Sequence, residues 1–76
     1  MAEVISRLKA MVHEVLGGRS SQIFLSRVDK TIDEATDADS LAKACEKVAH
    51  MVDLFIGANE AKVISTRCRE ILGQGK

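Results

Sequence analysis

Four stretches of this chain place apolar residues at intervals of three and four, and each stretch is closed by residues that interrupt helices. In the first, Val4, Ile5, Leu8, Met11, Val12, Val15 and Leu16 form one stripe when residues are set at about 100° per residue. Gly17 follows where a left-handed C-terminal cap is expected. The second stretch opens at Ser20 or Ser21, either of which can accept hydrogen bonds from free backbone N–H groups, and its stripe is Phe24, Leu25, Val28, Ile32 and Ala35. Thr36, Asp37 and Asp39 offer acceptors at the start of the third, and their negative charge suits a helix N-terminus. Leu41, Ala44, Cys45, Val48, Val52 and Phe55 make its stripe, which stops at Gly57. The fourth begins near Asn59 and carries Ala61, Ile64, Cys68, Ile71 and Leu72 before Gly73 releases it. The pattern predicts helices near 3–16, 21–35, 39–56 and 59–72 and no strand. Loops of only a few residues between them imply antiparallel neighbours, hence an all-α, compact, antiparallel four-helix bundle-like domain over residues 1–76.

Composition narrows the function classes. Among 76 residues there is no proline, tryptophan or tyrosine and only two phenylalanines, so aliphatic side chains build the core, near the lower size limit for a domain that folds alone. Eleven Lys plus Arg balance eleven Asp plus Glu, and the two signs are interspersed. Nucleic-acid binding requires a basic face that this balance does not provide. Glu3, Arg7 and Lys9 interrupt the N-terminal apolar residues, which argues against a signal peptide, and no run has the length of a membrane span. Two cysteines without a secretory signal point to the reducing cytoplasm.

Two residues on the third helix bear on group transfer. Asp39-Ser40-Leu41 resembles the attachment site of acyl carrier proteins, where a serine at a helix start takes a phosphopantetheine arm, and Asn59, Glu60, Ala61 and Lys62 resemble the helix start that follows. That resemblance implies Ser40 as the attachment residue. Carrier proteins present an acidic helix after the serine, whereas Ala42, Lys43, Ala44 and Lys47 give a mixed one here; Ser40 also reads simply as a first-turn serine of an Asp-capped helix.

His50 lies about 160° from Val48 around the helix and shares the solvent face with Lys43, Glu46 and Asp53. An exposed histidine in mid-helix, with Phe24, Ile32, Leu41, Ala49-His50, Ile64, Cys68 and Ile71 as surrounding positions, resembles histidine phosphotransfer domains. The resemblance implies that His50 accepts a phosphoryl group from an aspartyl phosphate. That family has a lysine three residues after the histidine and a glycine four after it. Asp53 and Leu54 stand there instead, one opposing an incoming phosphate by charge and the other by bulk.

Nothing in the chain assembles a nucleophile and base. His13 and His50 fall on polar faces while Cys45 and Cys68 face inward, so no catalytic residue, metal ligand set or cofactor is expected. Gly17-Gly18-Arg19-Ser20-Ser21 opens a helix and reads as a cap. Cys45 and Cys68 lie at similar distances either side of the turn near Gly57-Ala58, so an antiparallel hairpin sets them at one height in the core as packed, reduced thiols.

Three apolar residues fall off the stripes. Ile23 sits about 140° from Val28, Leu54 about 120° from Val48, and Val63 about 100° from Ile64. Three such residues in so small a domain suggest a partner surface or dimer seam. The expected function is a non-enzymatic, cytoplasmic helical module for protein–protein interaction or self-association, an accessory domain of a signalling or regulatory protein. The alternative is a group carrier using His50, or less readily Ser40.

Overall fold

Each helix starts and stops where a side chain or a glycine takes over the backbone groups its ends leave free. Ser21 Oγ accepts a hydrogen bond from the Phe24 N–H at 3.2 Å, opening the second helix. Asp37 Oδ1 accepts from the Ser40 N–H at 2.8 Å, while Ser40 Oγ accepts from the Asp37 N–H at 3.0 Å. This is a reciprocal capping box that satisfies two otherwise unpaired donors. Gly17 adopts φ 46°, the left-handed conformation that ends the first helix, and Gly57 adopts φ 155° before the fourth.

The computed structural model describes residues 2–73. It contains α1 (Ala2–Leu16), α2 (Gln22–Asp33), α3 (Ala38–Phe55) and α4 (Ala58–Ile71), with a turn of 3-10 helix at Gly17–Arg19 after α1. No strand occurs among the described residues. The all-α reading therefore holds, with boundaries shifted by a residue or two, as helix ends commonly are.

Helix α1 packs on α2 and α4, and α3 packs on the same two, so the helices follow one another around a square and α4 closes it against α1. Leu8, Val12 and Leu16 of α1, Val28 and Ile32 of α2, Leu41, Val48 and Val52 of α3 and Ile64 of α4 fill the centre with essentially no exposure. Each such side chain contributes on the order of 1.5–3 kcal/mol by leaving water. Cys45 and Cys68 are buried, as their stripes require. The radius of gyration, 11.2 Å, matches the ~11 Å expected of one compact body of this length.

Polar side-chain pairs match α1 in register to its neighbours. Lys9 Nζ meets Asp33 at 2.8 Å and His13 Nε2 meets Asp29 at 3.0 Å, so two positions one turn apart on α1 face two on antiparallel α2. Arg67 of α4 meets Glu14 at 3.6 Å, and Arg19 pairs with Glu60. Exposed pairs of this kind contribute only ~0–1 kcal/mol each, so the core decides stability.

One stripe assignment is corrected. Phe55 continues the α3 stripe in sequence but is 72% exposed. Helix α3 has 18 residues against 12 in α2, and its last turn overhangs the first turn of α2. There Phe55 meets Phe24 edge to face, with ring centroids 5.8 Å apart and planes at 63°, and its other face is open.

Candidate functional site

The overhang of α3 on α2 creates the site. Ile23 and Phe24 enter from the first turn of α2, and Met51, Phe55 and Ile56 come from the end of α3. Together they line a groove of about 650 Å³. Phe24, Met51 and Ile56 are half-buried and rest on the core, whereas Ile23 is 72% exposed. The groove therefore has a floor held by packing and two apolar walls open to water.

Polar residues share its rim. Arg19, Ser20, Ser21 and Arg27 complete the lining, which includes no carboxylate. Ser21 is occupied as the α2 cap. Ser20 Oγ is buried and has no hydrogen-bond partner among the described residues. Arg19 is engaged with Glu60, while Arg27 stands exposed one turn beyond Ile23 on α2. Among the described residues Arg27 is thus the cation beside the apolar trough that carries no ion pair with a neighbouring helix, although the chain as a whole is neutral.

The three off-stripe residues are not brought together. Ile23, Leu54 at 65% and Val63 at 45% are all exposed, but only Ile23 lines this groove. Leu54 follows the helix about 100° round from Phe55. Val63 lies on α4 beside Lys62, Thr66 and Arg67. Sequence reasoning missed Phe55 and Phe24 as members of an open surface because their spacing is that of core residues, and it assigned Met51 neither to the α3 stripe nor to the surface. The one available signal was that α3 is the longest segment and must outrun its neighbours.

Ser40 and His50 sit elsewhere. Besides the capping bond, Ser40 Oγ accepts from the Thr36 N–H at 2.9 Å and donates to the Asp37 carbonyl oxygen at 3.1 Å. Every hydrogen-bonding position of that hydroxyl is occupied by the α3 N-terminus. The Ser40 N–H bond to Asp37 also holds the Asp37 carboxyl below its ordinary pKa of 3.8. His50 is exposed and lines a shallow depression of about 460 Å³ with Asp53 of α3 and Asn59, Lys62 and Ser65 of α4. His13, read from sequence as a free surface residue, is exposed but paired with Asp29.

The two thiols meet between α3 and α4. The interaction between the two thiols lowers the Cys45 pKa, and the same interaction with burial pushes Cys68 up. Among the described residues no group of three or more His, Cys, Asp or Glu is arranged to hold a metal. No described helix is long and apolar enough to cross a membrane. No family model matches the chain, and no curated protein or solved structure matches it significantly.

Proposed function

We propose that this chain is a protein-binding module whose α2/α3 groove takes an amphipathic helix with acidic flanks. The observation that supports the reading is the groove's composition: exposed Ile23 and Phe55 over a packed apolar floor, with Arg19 and Arg27 beside it and no carboxylate in the lining. An apolar helix face laid in the trough removes the open face of Phe55 and most of Ile23 from water, worth ~1.5–3 kcal/mol for each side chain fully covered. Carboxylates flanking that face reach Arg27, which selects orientation and speeds encounter. A second copy of the chain presenting the same groove would bring no carboxylate from that lining to the arginines.

Selection of displayed amphipathic helices against the chain, with Phe55→Asp as the counter-selecting variant, tests the reading. Enrichment of peptides with apolar residues at three- and four-residue spacing and Asp or Glu at the flanks is expected, with no binding to the variant. A pool that binds both chains equally, no enrichment, or a dimer in sedimentation that Phe55→Asp dissociates would overturn it. Phe55 and Ile23 are exposed, so charged substitutions there leave the fold intact.

A second reading, phosphoryl acceptance at His50, has one observation in its favour. Lys62 of α4 lines the same depression and supplies a cation there, where the residue three after His50 is Asp53. Asp53 lines it too and opposes the same charge. Incubation with phosphorylated receiver domains tests this reading: an acid-labile label lost in His50→Ala supports it, and no label across a panel removes it.

A further inference from the structure

Helices α3 and α4 form the most extensive contact in the bundle and carry one cysteine each on their facing sides. Small side chains line the seam: Ala61 is buried, and Ala49 and Ser65 are half-buried. The two thiols are hydrogen-bonded to one another, so no side chain separates them. Both are nearly buried, Cys45 at 8% and Cys68 at 4% exposure, yet both line a cleft of about 260 Å³ with Ala42, Glu46, Ser65 and Arg69. Glu46 and Arg69 are exposed residues of that lining, so the cleft leads from charged surface to sulfur. The cleft has ample room for a peroxide, which is little larger than a water molecule.

We propose that Cys45 and Cys68 form a dithiol site for a small peroxide, with Cys45 as the attacking sulfur and Cys68 as the resolving one. The Cys45 thiolate attacks one peroxide oxygen; an S–O bond forms, the O–O bond breaks, and the leaving hydroxide takes a proton to become water. Cys68 then attacks the Cys45 sulfenic sulfur, forming the S–S bond and breaking the S–O bond, and a second water leaves with the Cys68 proton. Two thiols are oxidised to one disulfide while one peroxide is reduced to two waters. The assignment of roles follows from access: Cys45, at 8% exposure, is the more open of the two sulfurs and Cys68, at 4%, the deeper one, and the lowered Cys45 pKa acts in the same sense. The product staples α3 to α4 across the Gly57 turn. This site shares no lining residue with the α2/α3 groove, and the proposal does not depend on the groove.

Treatment of the reduced chain with stoichiometric hydrogen peroxide, followed by unfolding, alkylation and intact mass measurement, tests the proposal. The expected product is a monomer two hydrogens lighter than the reduced chain, with neither cysteine alkylated. In Cys68→Ser the expected product is one oxygen heavier and reacts with dimedone, because the sulfenic acid on Cys45 has no resolving thiol. In Cys45→Ser, which retains only the resolving sulfur, peroxide consumption is expected to fall at least tenfold. Two fully alkylatable cysteines after peroxide treatment, or disulfide-linked dimers in place of the internal bond, would overturn the site. Equal reactivity of the two variants would overturn the assignment of roles.

Discussion

Val48 is the side chain on which the bundle most directly depends, because it is fully buried at the middle of the longest helix, between α2 and α4. Val48→Ala removes two methyl groups, worth about 1.6 kcal/mol at ~0.8 kcal/mol each. If the neighbours do not collapse, roughly 50 Å³ is left empty, and at ~24 cal/mol per Å³ this adds about 1.2 kcal/mol. The sum, ~3 kcal/mol, is a large share of the ~4–11 kcal/mol that a chain of 76 residues commands. At about 6 °C per kcal/mol it lowers the melting temperature by roughly 18 °C. Val48→Asp places a carboxylate with no partner in the same site, and the variant should be unfolded at room temperature. Thermal and urea denaturation followed by far-UV circular dichroism gives both values. A melting temperature for Val48→Ala within a few degrees of wild type would refute the placement of this face in the core.

Three smaller perturbations probe the helix ends and one surface. The folded state lowers the Asp37 pKa below 3.8, so the charged cap contributes stability above that value and loses it as pH falls through the lower folded pKa. Acid titration of wild type should therefore show a steeper loss of stability below pH ~4 than Asp37→Asn, which keeps the cap without the charge; parallel curves would contradict the cap's electrostatic part. Gly17→Ala must enter the left-handed region at φ 46° and should cost about 1 kcal/mol in urea denaturation, although nothing crowds the added methyl. His50→Ala should leave the melting temperature within about 2 °C of wild type, because the ring is exposed; a larger fall would assign the imidazole a structural role.

Most of the architecture was legible because burial on one face leaves a periodic trace. Leu8, Val12, Val28, Ile32, Val48, Val52 and Ile64 stand on their helices where the stripes put them. Ser21, Asp37 and Gly17 act at the ends for reasons local to a few residues. The pairing of Cys45 with Cys68 followed from their equal distance from the Gly57 turn. What could not be read locally depends on which helix outruns its neighbour. Phe55 has core spacing but no helix across from its outer face, so its exposure is a property of the packed bundle. Periodicity likewise says which residues leave the core and not whether they meet: Ile23 joined Phe55 in a groove, whereas Val63 lies on another helix. The Lys9–Asp33 and His13–Asp29 pairs were open to prediction, since opposite groups one turn apart on successive antiparallel helices match in register.

The central claim is that the α2/α3 groove recognises an acidic-flanked apolar helix through Arg27 and Phe55, and a charge-reversal titration tests it most directly. Fluorescence anisotropy measures the binding of a Glu-flanked amphipathic helical peptide, and of the same peptide with Lys flanks, to wild type, Arg27→Glu and Phe55→Asp. Wild type should prefer the Glu-flanked peptide, Arg27→Glu should prefer the Lys-flanked one, and Phe55→Asp should bind neither. Higher salt should shrink the preferences in the first two while leaving the contribution of Phe55. Binding that is indifferent to peptide charge, unaffected by Phe55→Asp, or absent for both peptides would contradict the account.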